Sequence, residues 1–75
     1  MNYHSPYQPH QRRVIREKEA LATKLASLEM FISGLAFEQV PIEEQKRLRR
    51  QHQAMTDYLA VLQERVDWFK TETKQ

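Results

Sequence analysis

Apolar residues recur along the first half of the chain at Val14, Leu21, Leu25, Leu28, Ile32 and Leu35, with spacings of 7, 4, 3, 4 and 3. A period close to 3.5 is the seam of a helix that packs lengthwise against a partner. The same spacings return in the second half at Leu48, Met55, Leu59, Leu62, Val66 and Phe69. The pattern therefore predicts two long amphipathic helices, the first over about residues 10–34 and the second over about 41–72. Punctuation agrees with those limits. No proline or glycine interrupts the chain from His10 to Ser33, and Gly34, the only glycine, stands where the first seam runs out. It is expected to supply the left-handed residue that ends the helix. Pro41 followed by Glu43 and Glu44 reads as a helix N-terminus, with the carboxylates on the positive end of the dipole. Residues 1–9 carry two prolines and no apolar period, so they form an extended arm.

At ~1.5 Å per residue the helices are roughly 36 and 45 Å long. Helices of similar length joined by a short connection should lie antiparallel, so the fold class is all-α, a two-helix hairpin over residues 10–75 with an N-terminal arm. One hairpin leaves too much apolar surface. The second helix carries an additional stripe of Ala54, Tyr58, Val61, Arg65 and Trp68, and the first an excess of Ile15, Ala22, Ala26, Met30 and Phe31. Leaving the large members in water forfeits ~1.5–3 kcal/mol each, a total comparable with the stability of a domain this small. The chain is expected to associate into a helical homo-oligomer, hairpin on hairpin.

With 75 residues and no cysteine, disulfides, thiolate metal sites and thiol nucleophiles drop out. The start lacks the apolar core of a signal peptide, and the run "MFISGLAF" is far shorter than the ~20 residues of a membrane span. A soluble, unexported protein is expected, with no membrane partner. One glycine cannot build a glycine-rich phosphate loop. His4 and His10 fall in or beside the arm and His52 stands among arginines and glutamines, so no pair has helical metal-ligand spacing. No metal or other cofactor is expected, and a two-helix hairpin offers no preformed cleft or oxyanion donors for catalysis. The chain reads as a binder rather than an enzyme.

Charge narrows what it binds. Residues 1–18 hold Arg12, Arg13, Arg16 and Lys18 against Glu17; residues 19–45 hold Lys24 against five glutamates; and the run 46–50 holds Lys46, Arg47, Arg49 and Arg50. Within one hairpin the two basic clusters lie roughly 25–30 Å apart. Two hairpins packed antiparallel would bring Arg12, Arg13 and Arg16 of one towards Arg47 and Arg50 of the other, forming an anion pocket between subunits. Arginine favours bidentate contact with phosphate, and Tyr3 and Tyr7 beside the first cluster suit stacking on a base. The plainer alternative makes the basic run the solvated face of the second helix, paired with Glu43, Glu44 or Glu29. Duplex binding is disfavoured by a net charge of only +2 and by the flanking carboxylates.

Residues 14–66 also carry the pattern Glu17, Lys18, Leu21, Lys24, Leu28, Phe31 and Ile32, then Phe37 and Pro41, then Leu48, Gln51, Ala54, Met55, Tyr58, Leu62 and Arg65. This resembles a widespread group of very short bacteriophage helical proteins, crAss-phage-related members among them. The resemblance implies a phage origin, the cytoplasm of an infected bacterium and no established enzyme activity. Small phage proteins of similar design include oligomeric sponges for nucleotide messengers of bacterial immunity. By that analogy the expected ligand is a cyclic oligonucleotide or an NAD-derived signal, with Arg12, Arg13, Arg16, Arg47 and Arg50 on phosphates, Tyr3 or Tyr7 on a base, and Lys24 and Arg65 as further contacts. The competing expectations are an adaptor that grips a host protein through the apolar face and a weak nucleic-acid binder.

Overall fold

The first helix starts where its backbone donors are provided for. In the computed structural model, which describes residues 7–73, α1 spans Pro9–Ile32. Gln8 precedes it in extended conformation, and Pro9 takes the first helical position, where a missing N–H costs nothing. The Gln8 N–H donates to Gln11 Oε1 at 2.8 Å, and Gln11 Nε2 donates to Glu72 Oε1 at 3.2 Å. Gln11 is thus buried yet satisfied at both ends of its amide. Of the expected arm only residues 7–9 are among the described residues, with Pro9 already in the helix, one residue earlier than expected, and Tyr3 lies outside them.

Helix α1 ends two residues before the expected position, and Gly34 does not end it by a left-handed turn. Ser33 closes the helix instead: its N–H and its hydroxyl both donate to the Glu29 carbonyl, at 3.1 and 2.8 Å. Gly34 follows with φ −91° and ψ 168°, extended backbone open to any residue. Its lack of a side chain serves closeness, since a Cβ there would sit 3.3 Å from the Met30 carbonyl oxygen. The connection then makes a 3-10 turn over Leu35–Gln39. That turn points Leu35 outward, 86% exposed, so Leu35 is not a seam residue. A 3-10 turn advances faster and rotates differently from an α-helix, which breaks the period just where the seam was extended through it. Phe37 is buried in its place.

Helix α2, Ile42–Thr73, begins one residue later than expected, with Pro41 just outside it. The Pro41 carbonyl accepts from the N–H groups of Glu44 and Gln45 at 2.9 and 3.0 Å. Gln45 ties the connection to the helix, its Nε2 donating to the carbonyls of Val40 and Phe37 at 2.8 and 3.2 Å. Glu43 and Glu44 in the first turn and Lys70 in the last suit the dipole.

Contacts between the helices pair rising numbers on α1 with falling numbers on α2: Gln11 with Glu72, Lys18 with Gln63, and Glu29 with His52. The core between them is Val14, Leu21, Leu62, Val66 and Phe69, with Tyr7, Ile15, Met55 and Leu59 against its edge. Lys18 and His52 occupy the two seven-residue gaps in the seams. Both are half-buried, and each finds a polar partner on the opposite helix, Lys18 Nζ donating to Gln63 Oε1 at 3.2 Å. The helix pair is one layer thick, with extents of 52 × 26 × 15 Å, so among the described residues each helix has a face with no other element packed over it. No described helix is long and apolar enough to cross a membrane.

Candidate functional site

The basic residues singled out in the sequence divide between the two ends of the helix pair. Arg12, Arg13 and Arg16 sit exposed on the first turns of α1. Arg12 Nη1 donates to the Tyr7 carbonyl at 2.9 Å, folding the segment before the helix back over its first turn. Tyr7 itself is half-buried against the core, so part of its ring is already used in packing. Lys24 lies exposed midway along α1. Arg65, also exposed, places its guanidinium 5.9 Å from the centre of the Phe69 ring.

At the other end, near the connection, Arg47 and Arg50 are exposed. Arg47 Nε donates to Glu44 Oε1 at 2.7 Å, and Lys46 reaches Glu43 at 3.5 Å, each an i, i+3 pair in solvent. Part of the basic run is therefore a solvated, paired helix face. Counting along the helices, Arg13 and Arg47 stand roughly 30 Å apart, so one chain does not bring the two clusters together.

The structure does bring together a set that the sequence reading passed over. An open groove of about 340 Å³ at the connection end is lined by Glu29 and Ile32 from α1, by Ser33 just beyond it, and by Arg49 and His52 from α2. His52 Nε2 lies 2.9 Å from Glu29 Oε2. A carboxylate oxygen accepts, so Nε2 carries the proton of that bond. Glu29 thus faces His52 rather than Arg47 or Arg50. The Arg49 guanidinium lies 5.0 Å from the centre of the buried Phe37 ring, which in turn meets Phe31 edge-on at 5.9 Å. A guanidinium held over an aromatic face has its fork orientation set before any ligand arrives. Among the described residues Arg49 pairs with no carboxylate, unlike Lys46 and Arg47 beside it.

Two apolar surfaces flank these features. Met30, Phe31, Leu35 and Ile42 stand out at the connection end, and Tyr58, Val61 and Trp68 run along α2. Tyr58 is 44% and Trp68 59% exposed, so neither ring is sealed by its own chain.

Two long helices in a single layer, with a polar groove at one end and uncovered aromatics along one helix, define a small all-helical protein made mostly of surface. Compared with known families, residues 8–67 match Sequestin, which is well over half of the chain. The chain belongs to the Sequestin family. No curated protein and no solved structure matches it.

Proposed function

We propose that this chain sequesters a small anionic nucleotide, a cyclic oligonucleotide or an NAD-derived messenger, between copies of itself, and so blunts immune signalling in the cytoplasm of an infected bacterium. The observation that carries the reading is the uncovered face of α2. Trp68, Tyr58 and Val61 are only partly covered within the chain, and a second copy of the same antiparallel hairpin supplies a matching apolar surface. Packing two hairpins antiparallel sets Arg12, Arg13 and Arg16 of one beside Arg47 and Arg50 of the other. Phosphates bind there through bidentate arginines, with Tyr7 or Tyr3 on a base and Lys24 and Arg65 at the margins.

The family name supports retention of a molecule rather than its conversion. Binding without turnover asks only for affinity, and a groove with an unpaired arginine and interfaces rich in guanidinium groups provide that. Calorimetry of the purified chain against cyclic di- and trinucleotides and cyclic ADP-ribose isomers is the test. At least one should bind with sub-micromolar affinity, and Arg47→Ala with Arg50→Ala should abolish it; uniformly flat titrations overturn the proposal. The apolar patch of Met30, Leu35 and Ile42 favours a second reading, an adaptor that grips a host protein. A stoichiometric host protein on affinity purification from infected cells, without nucleotide absorbance, would decide for it.

A further inference from the structure

We infer that the groove between α1 and α2 at the connection end is a ribose-and-phosphate subsite, in which Glu29 accepts hydrogen bonds from ribose hydroxyls and Arg49 holds a phosphate. This rests on the reading that the chain binds a nucleotide, and it adds to the arginines proposed above a subsite built from other residues.

The groove contains complementary chemistry within one small volume. Its roughly 340 Å³ falls at the lower end of ligand sites, about 300–1,000 Å³, which suits one nucleotide unit rather than a polymer. Glu29 is an acceptor-only group when ionised, and one of its oxygens is engaged by His52 at 2.9 Å, leaving the second to receive donors. Sugar hydroxyls are donors of that kind, and a carboxylate is a recurrent reader of ribose hydroxyls. The His52 bond fixes the carboxylate's orientation, so it does not have to be ordered when the ligand arrives. The α1 C-terminus adds to the same preference. Its carbonyls carry the negative end of the helix dipole, so the Ser33 side of the groove favours hydroxyl donors and repels phosphate.

Phosphate is therefore directed to the α2 side. Arg49 and Arg50 are the members of the basic run that no described carboxylate neutralises, while Lys46 and Arg47 are paired with Glu43 and Glu44; of the two, Arg49 lines the groove. Phe37 beneath its guanidinium, at 5.0 Å, holds the fork in place, and the N–H edge remains available for two oxygens. His52 faces Glu29 across the floor and sits at a seam position of α2, so packing fixes its place. A ligand with hydroxyls at one end and a phosphate at the other matches the polarity of the groove; a bare anion does not, because Glu29 repels it.

The test uses the full chain and four probes: adenosine 5′-monophosphate, ADP-ribose and the 2′-deoxy form of each. The His52 imidazole resonances should shift on adding the ribonucleotides, and each deoxy form should bind at least about tenfold more weakly. Glu29→Gln, which keeps an acceptor for His52, should erase the ribo-over-deoxy preference while leaving thermal stability unchanged. Arg49→Lys keeps charge and packing but loses the fork, and should weaken both forms by a similar factor. If the ribonucleotides bind with no His52 shift and Glu29→Gln keeps the preference, the groove assignment fails while nucleotide binding stands. If none of the four binds, the subsite fails too, whereas sequestration itself is decided separately by the cyclic-nucleotide calorimetry.

Discussion

Removing Trp68 separates what holds the chain together from what would hold copies of it together under the proposed self-association. The indole is 59% exposed, and with Tyr58 at 44% and Val61 at 50% it forms a stripe offering on the order of 300 Å² per chain, given the areas aromatic side chains present. At ~25 cal/mol per Å² this is worth roughly 8 kcal/mol of gross stabilisation in each copy when covered. Association costs roughly 4–15 kcal/mol in lost freedom, so a paired stripe leaves a modest surplus and micromolar self-affinity is the natural scale. Trp68→Ala withdraws about half of that area, roughly 3–4 kcal/mol per copy, which should weaken self-association by at least about a hundredfold. The fold should barely notice, because most of the ring already faces water; a loss below about 1 kcal/mol is expected. Sedimentation velocity across a concentration series, paired with thermal denaturation by circular dichroism, reads both quantities. If the parent chain stays monomeric at a hundred micromolar, or if Trp68→Ala associates as before, the argument from uncovered area is wrong.

Other substitutions test the pair of helices itself. Leu62, 1% exposed at the centre of the core, should cost about 2–5 kcal/mol as Leu62→Ala, measured by chemical denaturation; a cost under 1 would mean that the seam is not where stability resides. Gln45→Glu removes the two donors that tie the connection to α2 and should cost about 1–3 kcal/mol, with faster amide exchange at Val40 than in the parent. Gly34→Ala should change stability by less than about 1 kcal/mol, since its φ of −91° suits any residue and only the Met30 carbonyl must yield; a larger loss would show that the contact cannot relax. Glu44→Gln, which breaks an exposed i, i+3 pair with Arg47, should stay within about 0.5 kcal/mol at moderate salt.

The seams were legible because a heptad of large aliphatic side chains has only one way to hide. Leu21, Leu25, Leu62, Val66 and Phe69 are buried as their spacing implies, and Tyr58, Val61 and Trp68 lie off the seam and stay exposed. What failed was local. Leu35 continued the period arithmetically but falls in a 3-10 turn, and Gly34 looked like a left-handed cap although its backbone is extended. Both depend on backbone geometry within a few residues, which periodicity does not encode. The groove was hidden for a different reason. Glu29 and Arg49 are unremarkable in a glutamate- and arginine-rich sequence, and only the meeting of two helices pairs Glu29 with His52. One signal was available. Each seam skips a turn, from Val14 to Leu21 and from Leu48 to Met55, and the residues that fill those gaps, Lys18 and His52, must face the opposite helix. A polar residue at such a place asks for a partner there, which is how His52 could have been found.

The groove and the α2 stripe are also placed so that one can depend on the other. Trp68 lies sixteen residues beyond His52 on the same helix, roughly 24 Å by helical rise, so covering Trp68 does not by itself fill the groove. Two hairpins packed antiparallel through that stripe would set the terminal end of one chain, with Arg12, Arg13 and Arg16, against the connection end of the other, where the groove opens. Within a single chain the groove holds one unpaired guanidinium and one carboxylate, too little positive charge for a ligand with two phosphates. A second copy would bring three more arginines to its rim without adding a carboxylate from the same turns other than Glu17. Tight binding should then rise with self-association rather than with groove chemistry alone. Trp68→Ala, which leaves Glu29, Arg49 and His52 in place, should weaken a diphosphate such as ADP-ribose more than it weakens adenosine 5′-monophosphate. Equal weakening of the two, or none, would place the whole site within one chain.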